Sequence, residues 1–133
     1  MLDAHPHASI ATLSESIDSA DAFHDPSVVK VVSDASGRAH YFSRSAIPHV
    51  RGAEPSLVPD MARRHIGLYA YRAAFLADFA SQPPAPLEQL ESLEQLRALH
   101  CGHEIRVADA LEPVPAGVDT QKDLDAVRNL MAS

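Results

Sequence analysis

Arg63-Arg64-His65-Ile66-Gly67-Leu68-Tyr69-Ala70-Tyr71-Arg72 is short, rich in strand formers and interrupted by one glycine, with its charges gathered at the two ends. Successive side chains of a strand point to opposite faces. Arg63, His65, Gly67, Tyr69 and Tyr71 therefore share one face, and Arg64, Ile66, Leu68, Ala70 and Arg72 share the other. The second face has the apolar centre of a core face. The first carries a cation, an imidazole and two phenols, which suits either a half-exposed strand with polar groups in water or a row facing a ligand.

The flanking sequence supplies the partners of this strand. Ala8 to Leu13 reads as a short strand, and Ser19 to His24 as one helical turn stopped by Asp25-Pro26, because proline disfavours helix in the residue before it. Val28 to Ser33 and Arg38 to Ser43 flank the turn residues Asp34-Ala35-Ser36-Gly37 and predict a hairpin. It is long enough to need something to pack against and is expected to lie partly on another subunit. Arg44 stands at its exit, before an Ile47-Pro48 that has to leave the sheet. Val50 to Ala62 is a loop leading into the central strand. Ala73 to Ala80 reads as a helix with Phe75, Leu76 and Phe79 on its apolar side, and His103 to Asp109 as another strand.

Between them, Pro86 to about His100 predicts one helix, with Pro86 in its first turn and Gly102 as a left-handed residue past its end. Leu87, Leu90, Leu93, Leu96 and Leu99 recur every three residues. Each step falls about 60° short of a full turn, so the five spread over roughly 240° of the circumference. Such a helix is wrapped on most sides. Glu88, Glu91, Gln95 and Ala98 fall in the leucine-free gap, whereas Glu94 projects at the edge of the apolar arc. A carboxylate there must be paired, as with Arg97 three residues on, or face a polar cavity that Gln95 could also reach.

Composition narrows the function. A chain of 133 residues is one domain or part of one, and 46% apolar with 22% charged residues is ordinary for a soluble globular protein. No run approaches the length of a membrane span, and no basic-then-apolar segment marks a secretory signal at the N-terminus. The single cysteine, Cys101, excludes an internal disulfide and fits a reducing cytoplasm. A formal charge of −7 argues against nucleic acid or an anionic membrane as main partner, while clustered arginines could still hold a small anion.

Metal-ligand patterns are sparse. His5 and His7 are a loose terminal pair. His100-Cys101-Gly102-His103 straddles a helix end and a strand start with no second ligand pair after it, which is not a zinc pattern. Near the C-terminus Thr120 reads as an N-cap with Asp123 three residues on, opening a helix with Leu124, Val127 and Leu130-Met131 as its docking stripe. Asp119, not needed for that cap, suits either a hard-metal site of the kind Mg²⁺ forms with one or two carboxylates or simple solvation.

Taken together, VVKVVSD, YFSRSAIP, RRHIGLYAYR, PLEQLESLEQLRAL and GVDTQKDLDAVR resemble, in order and spacing from about Ser9 onward, the 3-deoxy-manno-octulosonate (Kdo) cytidylyltransferases, the CMP-Kdo synthetases of lipopolysaccharide assembly. The resemblance implies an α/β, mixed-sheet nucleotide-diphospho-sugar transferase (Rossmann-like) fold, of which residues 1–133 would be the C-terminal part, the sugar-binding and dimerisation half. The N-terminal nucleotide-binding half, with its basic glycine-containing phosphate loop and QGDEP string, has no counterpart here. Further implications are a cytoplasmic homodimer, Mg²⁺ as cofactor, and CTP plus Kdo giving CMP-Kdo and pyrophosphate.

By motif position the resemblance assigns Arg44, Arg51, His65, Tyr69, Glu94 and Gln95 to the sugar-acid pocket. Arginines would take the carboxylate, and Glu94 or Gln95 the hydroxyls. Asp119 matches the second carboxylate of the magnesium site. His49 and Gly52 depart from the family pattern around Arg51. Without a phosphate cradle the chain alone is expected to show no turnover. A non-catalytic sugar-acid-binding or dimerising remnant, or a cytidylyltransferase for another ulosonate such as sialic acid, are the rival readings.

Overall fold

A computed structural model describes residues 5–110; the expected final helix with its Thr120 cap, and Asp119, lie outside the described residues. The elements run β1 (Ala8–Ser16), α1 (Ala20–His24), β2 (Lys30–Ser33), β3 (Ala39–Ser43), β4 (Arg63–Tyr71), α2 (Ala73–Ser81), α3 (Pro86–Glu91), α4 (Gln95–His100) and β5 (Glu104–Asp109). The five strands form one sheet in the order β3-β2-β4-β1-β5. Only the β1–β5 pair is parallel. The mixed α/β sheet expected from the sequence is therefore present, with the central strand β4 lying between β2 and β1.

The alternation read in β4 survives an irregularity. Thr12 pairs with Tyr69 but Leu13 pairs with Ile66, so Gly67 and Leu68 bulge out of the ladder. Two extra residues, an even number, leave side-chain parity intact on either side. His65, Tyr69 and Tyr71 consequently stand opposite Ser14, Thr12 and Ile10 on one face. Ile66 and Ala70 bury on the other with Ala8, Ala11 and Leu13.

On the first face the main core gathers Ile10, Val31, Phe42, Phe75, Leu93, Leu96 and Ile105 from strands and helices alike. A row of rings crosses it. Phe42 meets His65 edge-on at 4.8 Å, His65 is 5.3 Å from Tyr69, Tyr69 stacks on Tyr71 at 5.6 Å, and Tyr71 on Phe75 at 6.0 Å. Such edge and offset contacts add to what burial of the rings alone contributes.

The β2–β3 hairpin finds packing within the chain. Its tip curls back onto β5, where Arg38 bridges Arg106 and the Val107 N–H donates to the Gly37 carbonyl at 2.7 Å. Gly37 is required there: its φ is +91°, and a Cβ would stand 2.8 Å from the Val107 carbonyl oxygen. Asp34 shapes the turn by accepting from Ser36 and the Arg38 N–H. Those bonds, led by the Ser36 hydroxyl, pull its carboxyl down to about 2. At the other end of the hairpin Lys30, 0% exposed, donates its ammonium to the carbonyls of Asp25, Val28 and Arg44.

The single helix expected from Pro86 to His100 is instead two. Helix α3 ends at Ser92, whose φ of 53° and ψ of 47° are left-handed, and α4 starts at Gln95. A left-handed non-glycine residue costs about 1–2 kcal/mol. Bonds from the rest of the fold offset it: Arg44 donates through Nε to the Glu91 carbonyl at 2.7 Å and through Nη2 to the Ser92 carbonyl at 3.2 Å. The break also undoes the wrapped-leucine expectation, since Leu93 and Leu96 bury while Leu90 stays 82% exposed. Past α4 the predicted left-handed Gly102 (φ +84°) is present. Its N–H donates to the Leu99 carbonyl and that of His103 to Ala98, the paired bonds of a Schellman end.

Candidate functional site

The polar face of β4 and the start of α4 make the candidate site. His65 is 8% exposed, and its Nε2 lies 2.9 Å from the Thr12 hydroxyl. Burial lowers its pKa to about 4, so the ring is neutral near pH 7. Tyr69 sits beside it, half-buried, its phenol pushed well up by burial first and then by Tyr71 and Glu94. Tyr71, 38% exposed, is raised by burial and again by Glu94. The Glu94 carboxylate thus stands within electrostatic reach of both phenols.

Glu94 itself is exposed, and the ion pair with Arg97 does not form. Arg97 instead grips Glu88 across the helix break, Nε to Oε1 at 2.8 Å and Nη2 to Oε2 at 2.6 Å, and lies over the Phe79 ring at 4.7 Å. Gln95 is 7% exposed and makes no hydrogen bond to the described residues. Every fully buried side-chain nitrogen and oxygen among them has a partner, so the Gln95 amide reaches the surface.

Arg44 bonds to the helix break. Three of its five N–H groups are spent on the carbonyls of Glu91, Ser92 and Pro26, leaving one on each terminal nitrogen. Arg51 is exposed in the 50–62 loop with no hydrogen bond or ion pair to the described residues. His65 and Tyr69 are therefore side by side, with Glu94 in electrostatic reach of Tyr69. Gln95 follows Glu94 at the start of α4, Arg44 bonds to the α3–α4 break, Arg51 is exposed in its loop, and Asp119 lies outside the described residues.

Two supporting residues escaped the sequence reading. Glu91, placed there on the leucine-free side, receives the Ser43 hydroxyl at 2.5 Å, the Arg44 N–H at 3.1 Å and the Tyr41 hydroxyl at 3.2 Å. Burial pushes its carboxyl up, but those bonds outweigh it and hold it below the ordinary value. Thr12 was the other; its one signal was a hydroxyl in a run of apolar strand residues, too common to read.

A hollow of about 560 Å³ under the curled hairpin involves none of the candidate residues. Its Arg63 is already engaged with Ser14, Ser16 and Asp109. Among the described residues no group of three or more His, Cys, Asp or Glu side chains could hold a metal ion. His103 of the rejected zinc pattern pairs instead with Ser9 and Asp78. No helix among them is long and apolar enough to cross a membrane.

A neutral imidazole, a phenol and a nearby carboxylate can orient the hydroxyls of a polar ligand. A family model described as cytidylyltransferase matches residues 1–105, and the chain belongs to that family. Within it, the chain is similar to the 3-deoxy-manno-octulosonate cytidylyltransferases. It is 53% identical over 137 residues to that of Pseudomonas fluorescens (strain SBW25), covering 99% of this chain and 54% of the relative. It is 49% identical over 136 residues to that of Cellvibrio japonicus (strain Ueda107), covering 98% and 53%. A solved structure of CMP:2-keto-3-deoxy-manno-octonic acid synthetase complexed with CTP superposes with a TM-score of 0.76 at 41% identity, over 98% of this chain and 52% of that one. The chain spans about half the length of the curated relatives it matches.

Proposed function

We propose that this chain carries the sugar-acid side of a cytidylyltransferase that joins the CMP of CTP to Kdo and releases pyrophosphate, for lipopolysaccharide synthesis. In this reading it is the C-terminal part of a cytoplasmic, homodimeric enzyme that uses Mg²⁺. The observation that supports the reading is the neighbourhood of His65 and Tyr69 on β4 with the Glu94 carboxylate at the start of α4.

The chemistry asked of these residues is positioning rather than covalent catalysis. The anomeric oxygen of Kdo forms a bond to the α-phosphorus as the bond to the pyrophosphate oxygen breaks, and a fixed sugar makes that attack effectively unimolecular. Glu94 accepts from sugar hydroxyls, and the Gln95 amide both donates and accepts. The unspent N–H groups of Arg44, one on each terminal nitrogen, form a fork that suits a carboxylate. Magnesium, when bound, would offset charge on the phosphoryl oxygens. Titration calorimetry of the 133-residue chain with Kdo tests the reading. A saturable heat that falls about tenfold in Tyr69→Ala supports it, and no binding by the folded chain refutes it. Magnesium-dependent release of CMP-Kdo, assayed alongside, reports whether the sugar site is coupled to turnover.

A further inference from the structure

The β4 bulge folds two carbonyls around one buried hydroxyl. Thr12 Oγ1 lies 2.8 Å from the Leu68 carbonyl oxygen, 3.1 Å from that of Ile66 and 2.9 Å from His65 Nε2. A threonine hydroxyl has one hydrogen to give, and a carbonyl can only accept. Were that hydrogen aimed at Nε2, the Thr12 oxygen would face two carbonyl oxygens at hydrogen-bond distance with nothing between them. The hydrogen therefore goes to the bulge carbonyls, the nearer Leu68 first, and the Thr12 oxygen is left to accept from His65. His65 must then carry its proton on Nε2.

Its other nitrogen, Nδ1, is the unprotonated one. It has no hydrogen-bond partner among the described residues, and none of their fully buried side-chain nitrogens lacks one, so Nδ1 accounts for part of the small exposed area of the ring. Phe42 edge-on and Tyr69 beside it hold the ring plane. We propose that Thr12 is a positioning residue that fixes His65 as its Nε2–H tautomer, so that Nδ1 meets the ligand as a hydrogen-bond acceptor and selects a hydroxyl rather than a carboxylate. The ligand half of this rests on the sugar-site reading above; the tautomer half does not. The low basicity of the buried ring agrees with it. The selection follows because a carboxylate has no hydrogen to offer an acceptor, whereas a sugar hydroxyl does.

Nitrogen-15 NMR of the histidine-labelled 133-residue chain at pH 7 decides the point, with the His65 signals identified by their loss in His65→Gln. The expected spectrum has Nδ1 at an unprotonated and Nε2 at a protonated position, retained in Thr12→Ser and replaced by averaged tautomer signals in Thr12→Val. On adding Kdo, Nδ1 alone shifts toward the hydrogen-bonded range, and Thr12→Val weakens Kdo binding about three- to tenfold with rescue by Thr12→Ser. A proton on Nδ1, an imidazolium, or an unchanged tautomer in Thr12→Val overturns the proposal, and the wild-type spectrum is decisive even if Thr12→Val does not fold. Kdo binding with Nδ1 unmoved overturns the ligand half alone. Absence of Kdo binding with the tautomer as stated overturns the sugar-site reading together with that ligand half, and leaves Thr12's role supported.

Discussion

Replacing Glu91 by alanine should loosen the end of α3 from the end of β3. Its carboxylate takes three donors from the end of β3, namely the Ser43 hydroxyl, the Arg44 N–H and the Tyr41 hydroxyl. Hydrogen bonds to a charged group contribute about 1.5–3 kcal/mol each. Tyr41 is only half-buried and regains water, so the loss is about 3–4 kcal/mol rather than the full sum. Small domains unfold in urea with slopes of about 2 kcal/mol per molar. The midpoint of Glu91→Ala, followed by circular dichroism at pH 7, should therefore fall by about 1.5–2 M with the slope unchanged.

Glu94→Ala, which removes an exposed carboxylate with no hydrogen bond to the described residues, should stay within about 0.5 kcal/mol of the parent. The sign with pH follows from the depressed folded-state pKa of Glu91. Its contribution is complete above the ordinary carboxylate range and is lost as pH falls through the folded value, so the gap between parent and Glu91→Gln should close in acid. If Glu91→Ala unfolds where Glu94→Ala does, the carboxylate does not hold the end of α3 to β3.

Three further outcomes are expected. Gly37→Ala, which combines a positive φ with a 2.8 Å approach to a carbonyl oxygen, should cost about 2–3 kcal/mol, read as a drop in thermal midpoint; an unchanged midpoint would mean the hairpin tip does not seat on β5. Because His65 titrates at about 4 folded and near 6.5 unfolded, the unfolded chain binds more protons between those values. The stability from keeping it neutral, about 3 kcal/mol, is complete above pH 6.5 and lost toward pH 4. A fold-competent His65→Phe should flatten that part of the urea-midpoint profile relative to the parent, and parallel profiles would contradict a neutral buried ring. Arg51→Ala should leave stability within about 0.5 kcal/mol, since the side chain is exposed and makes no bonds to the described residues. Calorimetry with Kdo then tells whether Arg51 reaches the ligand, and an unchanged affinity removes it from the site.

What was legible in the sequence divides along physical lines. The two faces of β4 follow from a period of two, which a bulge of two residues cannot upset, so His65, Tyr69 and Tyr71 could be grouped without coordinates. The hairpin was legible because Asp34 and Gly37 each have a local reason to sit in a turn. The α3–α4 break was not, since leucine spacing records where side chains want to be and says nothing of an arginine 47 residues upstream that bonds to backbone carbonyls. The same blindness gave Arg97 the wrong partner: the local rule offers Glu94, but the break swings Arg97 onto Glu88, nine positions away. Thr12 was invisible because its role exists only once β1 and the β4 bulge are side by side.

Lys30, shut away with its ammonium on three carbonyls, also turns this protein into its own folding gauge. The chain has two lysines, Lys30 and Lys122. An amine-acylating reagent can attach to Lys30 only during the moments when the hairpin root comes undone. Mass spectrometry of the Lys30 peptide, sampled over time, would therefore count those openings directly and need no inserted dye or reporter.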